Sequence, residues 1–187
     1  MASIVAYSLL PLAAMFFFFF FFHPIQSNEQ TQQTIESICH QVGDYDLCKQ
    51  ALNSNLKNPD ANISDLNELT INLTIRNATD TRAFTQSVLK NSTSYPEAVK
   101  VLSECENDYG LVVETFQVAF EFYNQRDYSR MLYLESLAPN AISSCEAGLN
   151  SAAPGPVNPY FYLIERNKPL KTLVDMAMVI AHTFADV

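Results

Sequence analysis

Residues 94–124 read SYPEAVKVLSECENDYGLVVETFQVAFEFYN, and their spacing decides the fold. Ala98, Leu102, Cys105, Tyr109, Val112, Phe116, Ala119 and Tyr123 recur at alternating steps of three and four. That period puts them on one face of a helix, as a seam that packs on neighbouring helices at a shallow angle. Ser94 suits the cap, and Pro96 suits the first turn, where a missing amide costs nothing. The polar run Asn124 to Asp127 predicts a short turn, which makes the next helix an antiparallel neighbour.

The same stripe recurs on both sides. Met131, Leu134, Ala138, Ala141, Cys145 and Leu149 predict a helix over 128–151, with Pro139 bending it or loosening one turn. Ala153-Pro154-Gly155-Pro156 ends it, and 158–167 reads as a connector with aromatics. Leu170, Leu173, Ala177, Ile180 and Phe184 predict a last helix over 168–185. Upstream, Leu66, Leu69, Leu73, Phe84 and Val88 predict one over 62–91, interrupted by the polar run Arg76 to Thr81. The chain has only four glycines and no sustained apolar–polar alternation. The expectation is all-α: an up-down-up-down four-helix bundle over 62–187. Two short helices, 29–41 and 45–57, precede it as a hairpin.

The first 22 residues carry no charge, and Phe16 to Phe22 is an unbroken phenylalanine run. The polar stretch His23 to Ser27 follows. This reads as a secretory signal peptide over 1–27, cleaved after Ser27, leaving a domain over 28–187. No Lys or Arg precedes the apolar block, and Pro11 argues against a stable spanning helix. Secretion implies an oxidising compartment, where four cysteines form two bridges. Three pairings are open. Cys39 with Cys48 and Cys105 with Cys145 is preferred, because each bridge then joins neighbours. The first staples the hairpin across the Gly43-Asp44 turn, worth about 2–3 kcal/mol in the loop-entropy picture. The second closes a forty-residue loop, worth about 4 kcal/mol.

Four N-x-Ser/Thr acceptors, at Asn62, Asn72, Asn77 and Asn91, fit the same compartment and are candidate glycosylation sites. The net charge of −9 disfavours nucleic acid and anionic membranes. It permits a basic partner, and Glu104, Glu106 and Asp108 could steer one.

Reactive chemistry finds little support. After the leader only His40 and His182 remain, too few for a Cys/His zinc set, and no catalytic triad, phosphate-cradling loop or paired carboxylates stand out. No metal or cofactor is expected. The two histidines could titrate in an acidic wall, although most such residues are plain surface side chains. Of Phe116, Phe120, Phe122 and Tyr123, the two phenylalanines at 120 and 122 do not both fit the core face, so an exposed aromatic is expected there. A small-molecule or lipid carrier using the bundle interior is the alternative from a different class.

Several motifs together resemble the plant invertase and pectin methylesterase inhibitor family. They are Cys39-x8-Cys48 enclosing Tyr45, Leu102-x2-Cys105-x3-Tyr109, Asp127-Tyr128 at a turn, and Cys145 forty positions after Cys105, with Glu146-x2-Leu149 after it. The resemblance covers residues 29–186 and looks nearest to a pollen-type subgroup labelled as invertase inhibitors. It implies a helical hairpin on a four-helix bundle with the two bridges preferred above. It also implies no enzymatic activity: a free-standing inhibitor, secreted to the apoplast or vacuole, that covers the substrate cleft of a carbohydrate enzyme. Better-known invertase inhibitors carry Pro-Lys-Phe at the turn where this chain has Tyr128-Ser129-Arg130. Pectin methylesterase inhibitors often carry Asp-Tyr there, and Thr where this chain has Ser144. The resemblance therefore implies pectin methylesterase before acid invertase as partner, with Tyr128, Ser129, Arg130 and Ser144 as candidate contacts. Pro139 and glycans on the first bundle helix are expected to disturb docking if they share that face.

Overall fold

The computed structural model describes residues 28–91, 96–152 and 159–185, all of them helix, turn or short connector. The expected leader, the Ser94 cap and the Ala153–Pro156 stop lie outside the described residues.

The hairpin is set by two caps. Asn28 Oδ1 accepts from the Thr31 amide at 2.7 Å and starts α1 (Glu29–Cys39). Asp44 Oδ1 accepts from the Leu47 amide at 3.0 Å and starts α2 (Tyr45–Asn55). Each satisfies an amide that has no partner within its own helix. Cys39 is bonded to Cys48 across the turn, with Cα atoms 5.5 Å apart. Ile35, Ile38 and Leu52 then pack with Leu66 and Leu73 of α3 (Ile63–Asn91) and with Leu173, Met176 and Ile180 of α7 (Pro159–Ala185). The hairpin is thus seated on the first and last bundle helices.

Between them run α4 (Pro96–Asn124), α5 (Tyr128–Glu135) and α6 (Ala138–Ala152). α4 packs on α3, α5 and α6, while α7 packs on α3, α5 and α6. The pair α5–α6 therefore stands diagonally across the bundle from α3. Leu102, Tyr109, Val112 and Phe116 of α4 are fully buried, as are Leu149 and Leu163. Burial of each large apolar side chain is worth about 1.5–3 kcal/mol. These side chains fill the seam that a carrier would need to hold open. Cys105 is bonded to Cys145 with Cα atoms only 4.6 Å apart, which draws α4 and α6 together. Gly148 permits that approach, since a Cβ there would sit 3.3 Å from Val101 Cγ1.

Three expected elements differ. The polar run Arg76 to Thr81 does not interrupt α3, which is continuous over 29 residues. Its core face is Asn67, Thr70, Ile71, Thr74, Ala78, Thr81 and Thr85, while Phe84 and Val88 are only partly buried. A buried threonine offers its methyl to the core and returns its hydroxyl to its own helix. Thr70, Thr74 and Thr85 each donate to the carbonyl four residues back at 2.7–2.9 Å.

The expected single helix over 128–151 is two. The ladder lapses at Ser136–Leu137, and Pro139 becomes the second residue of α6, where no amide is needed. The connector expected over 158–167 is instead the start of α7, with Pro169 inside the helix. Tyr160, Leu163, Asn167 and Leu170 are all buried and extend the core stripe upstream. Their packing outweighs the roughly 3 kcal/mol that an interior proline costs.

Candidate functional site

The α4–α5 turn is built by a backbone motif that the sequence disguises. Arg126 has φ of 60°, the left-handed conformation usually taken by glycine at a helix end. Its amide donates to the Tyr123 carbonyl at 2.9 Å, and the Asp127 amide donates to the Phe122 carbonyl at 2.9 Å. Those two bonds close the end of α4. Asp127 then caps α5, its Oδ1 accepting from the Arg130 amide at 3.2 Å.

The three candidates at this turn behave differently. The Tyr128 ring stacks on Phe184 at 5.1 Å and lies 6.2 Å from Tyr123, so it belongs to a half-buried aromatic cluster rather than a free surface. Arg130 is 67% exposed, with Nε 3.4 Å from Asp127 Oδ2 and its guanidinium 5.3 Å from the Phe122 ring centre. Ser129 is exposed. Phe120 packs partly on the core and Phe122 is half-buried beneath Arg130, so neither is the exposed aromatic expected from the stripe. That role falls to Tyr133, 63% exposed and one turn beyond Ser129 on the same side of α5.

Ser144 lies elsewhere on the same helix pair. It is exposed beside the Cys105–Cys145 bridge, with the Asp108 carboxylate near it. Burial raises the Asp108 pKa, the nearby Ser144 hydroxyl works against that rise, and Glu104 adds to it. Measured along α4, Asp108 and Tyr123 are about 22 Å apart, so Ser144 and Tyr128 touch no common atom of a small ligand. Ser144 on α6 and Ser129 and Arg130 on α5 are instead the exposed candidates of this helix pair, and Tyr128 is not among them. Asn140, Ser143 and Ala147 of α6 are exposed as well. This face is small-residued and neutral, with Arg130 at one end. Its neighbouring acid, Glu146, is tied to Lys171 of α7.

The other candidates disperse. His40 stacks on Tyr45 at 4.9 Å, and its Nε2 is 3.8 Å from Glu36. Tyr45 and Lys49 both donate to Glu36, and those bonds, Lys49 first, hold its pKa below the ordinary value. His182 is exposed near the end of α7. Glu104, Glu106 and Asp108 do not form one acidic patch. Glu106 is bonded to Gln86 and to Arg82, whose Nη2 is 2.7 Å away, and Asp108 turns under Ser144. No group of three His, Cys, Asp or Glu suited to a metal occurs among the described residues, and no described helix is long and apolar enough to cross a membrane.

Nothing in the apolar spacing marks Glu135. It is fully buried at the end of α5, neither carboxylate oxygen has a hydrogen-bond partner, and desolvation pushes its pKa up to about 8. Tyr109 is equally buried, but its hydroxyl donates to Asn167 Oδ1 at 2.7 Å and lies 3.2 Å from Cys145 Sγ.

This architecture has counterparts. A crystal structure of a mutant form of a pectin methylesterase inhibitor from Arabidopsis superposes with a TM-score of 0.69 at 21% identity, over 79% of this chain and 95% of that one. A second Arabidopsis pectin methylesterase inhibitor structure gives 0.59 at 22%, over 80% and 95%. At these identities they show the shared fold. Among curated proteins, a pectinesterase inhibitor of Actinidia deliciosa is 24% identical over 148 residues, 79% of this chain and 77% of that one. A cell wall/vacuolar inhibitor of fructosidase from Arabidopsis thaliana is 25% identical over 104 residues, 56% and 58% of the two chains. The family model for plant invertase/pectin methylesterase inhibitors matches residues 33–180, from within α1 to near the end of α7, and the chain belongs to that family.

Proposed function

We propose that the protein inhibits a plant cell-wall carbohydrate enzyme, pectin methylesterase first and acid invertase second, by laying the α5–α6 outer face over its substrate cleft. The observation that carries this reading is the character of that face. Ser129, Asn140, Ser143, Ser144 and Ala147 are exposed, uncharged and short, with Tyr133 as a single large anchor. Short side chains lose little rotamer freedom on docking, and the bridge to α4 has already ordered the backbone beneath them. An aromatic anchor amid small neighbours suits a protein interface. In this reading no side chain reacts, and inhibition is steric.

The choice of pectin methylesterase rests on Asp127-Tyr128 and on the absence of Pro-Lys-Phe at the turn. Residues 1–27 are proposed as the leader that delivers the chain to the apoplast. The test is titration of the oxidised, secreted protein against panels of pectin methylesterases and acid invertases at mildly acidic pH. Inhibition of a pectin methylesterase at micromolar or lower protein is expected, and inhibition of neither panel overturns the reading. Ser144→Arg and Tyr133→Ala are each expected to weaken inhibition tenfold or more with unchanged helicity. If both leave it intact, the contact lies on another face.

A further inference from the structure

An open groove of about 620 Å³ lies where the hairpin meets α3, across the bundle from the α5–α6 face. Leu56, Leu69 and Leu73 give it apolar walls, while Asn55, Asn58 and Arg76 line it with polar groups. Arg76 Nη2 donates to Asn55 Oδ1 at 3.2 Å and so links α3 to the end of the hairpin. The volume falls within the range of ligand sites. Mixed walls of this kind suit a pyranose, whose ring faces are C–H and whose edges are hydroxyl.

Asn72 also lines the groove. It is exposed, its Nδ2 donates to the Glu68 carbonyl at 2.8 Å, and it opens the acceptor tripeptide Asn72-Leu73-Thr74. We propose that Asn72 carries an N-linked glycan whose first sugars are seated in this groove, on the premise that the chain enters the secretory pathway. Transfer precedes folding, because in the finished helix Thr74 is fully buried and its hydroxyl is given to the Thr70 carbonyl at 2.9 Å. On the extended chain, Asn72 Nδ2 attacks the anomeric carbon of an oligosaccharide linked to a lipid diphosphate. A C–N bond forms as the sugar–phosphate C–O bond breaks. The lipid diphosphate leaves with the electron pair, and one Nδ2 proton passes to a base of the transferase. The remaining N–H stays available as a donor.

The neighbouring acceptors differ in their surroundings. Asn77 is half-buried and does not line the groove. Asn62 is exposed and caps α3 through Oδ1, accepting from the Ser64 and Asp65 amides, so Nδ2 is free for modification but outside the groove. Asn91 is exposed at the end of α3, and the rest of its tripeptide lies outside the described residues. A glycan on Asn72 covers the seam between hairpin and bundle. It leaves the diagonal α5–α6 face open, so glycosylation of α3 does not obstruct docking there.

The experiment starts with protein secreted from plant cells. Enzymatic release of N-glycans in ¹⁸O water followed by peptide mass spectrometry reads occupancy. Asn72 is expected to be modified. Hydrogen exchange of the folded glycoprotein is then compared with Asn72→Gln and with the glycoprotein deglycosylated without unfolding. Amides of residues 55–61 are expected to exchange at least threefold faster in both, with α6 unchanged. An unmodified Asn72 or unchanged exchange at 55–61 overturns the proposal. If Asn72→Gln is not secreted, deglycosylation of the folded parent gives the same reading. None of these measurements depends on inhibition, so they stand apart from the test of the target.

Discussion

Two residues carry opposite liabilities. Arg126 holds a left-handed conformation that costs a side-chain-bearing residue about 1–2 kcal/mol. Glycine would remove that strain at an entropic cost of about 0.5–1 kcal/mol. Arg126→Gly is therefore expected to stabilise the fold by about 0.5–1 kcal/mol in denaturant melts, with the turn unchanged. Glu135 is a buried acid without a partner, its pKa up to about 8 against an ordinary value of 4.5. The folded state holds this proton more tightly than the unfolded state. The contribution of this group is therefore most favourable below about pH 4.5 and is lost progressively as pH rises toward about 8. In Glu135→Gln, which is neutral throughout, the decline in Tm between pH 5 and 8 is expected to flatten markedly. An equal decline in both proteins would assign it to other groups. The acidic conditions of a cell wall are those in which this carboxyl is least costly.

At the scale of elements, α4 lies close against α6. The bridge sets the separation at Cys105 and Cys145, and Gly148 keeps it small one turn further on, against Val101. Gly148→Val would force the helices apart against a covalent tie. A loss of about 1–3 kcal/mol is expected in thermal or denaturant unfolding, the usual cost of overpacking. Because Ser144 and Ala147 flank this contact, inhibition should weaken as well. The α5–α6 break belongs to the same scale. Pro139 at the start of α6 makes α5 a separate eight-residue segment, placed by its cap at Asp127 and its aromatic contacts with α7.

For the whole molecule, the two bridges constrain different things. Cys39–Cys48 closes a separation of 9 residues inside the hairpin, and Cys105–Cys145 closes one of 40 across the bundle. The loop-entropy picture gives about 2.6 kcal/mol for the first and about 3.9 kcal/mol for the second. Paired alanine substitution of Cys105 and Cys145 is expected to cost more in denaturant melts than that of Cys39 and Cys48, and to weaken inhibition more. An equal effect on inhibition would mean that the hairpin also touches the target. The diagonal arrangement has a functional consequence too. The acceptor asparagines lie on or at the start of α3 and the proposed docking face on α5–α6, so both surfaces can be occupied at once.

The sequence by itself determined the helical class, the bundle and the place of the α4–α5 turn, because those follow from a repeat every three to four residues and from a polar break between two stripes. It also made Ser144 visible, as the residue before a cysteine of a recognisable motif. Only the tertiary structure decided that α3 buries threonines, since a hydroxyl reads as polar until its own helix accepts its proton. The early start of α7 was equally hidden: Asn167 looks like a connector residue until Tyr109, 58 positions away, donates to it. Tyr133 looked no different from its neighbours until packing left it outside. The threonine bonds are local but matter only once other helices cover that face, and the contacts that place α7 and Tyr133 join residues far apart in the chain, so spacing along the chain carries no record of them.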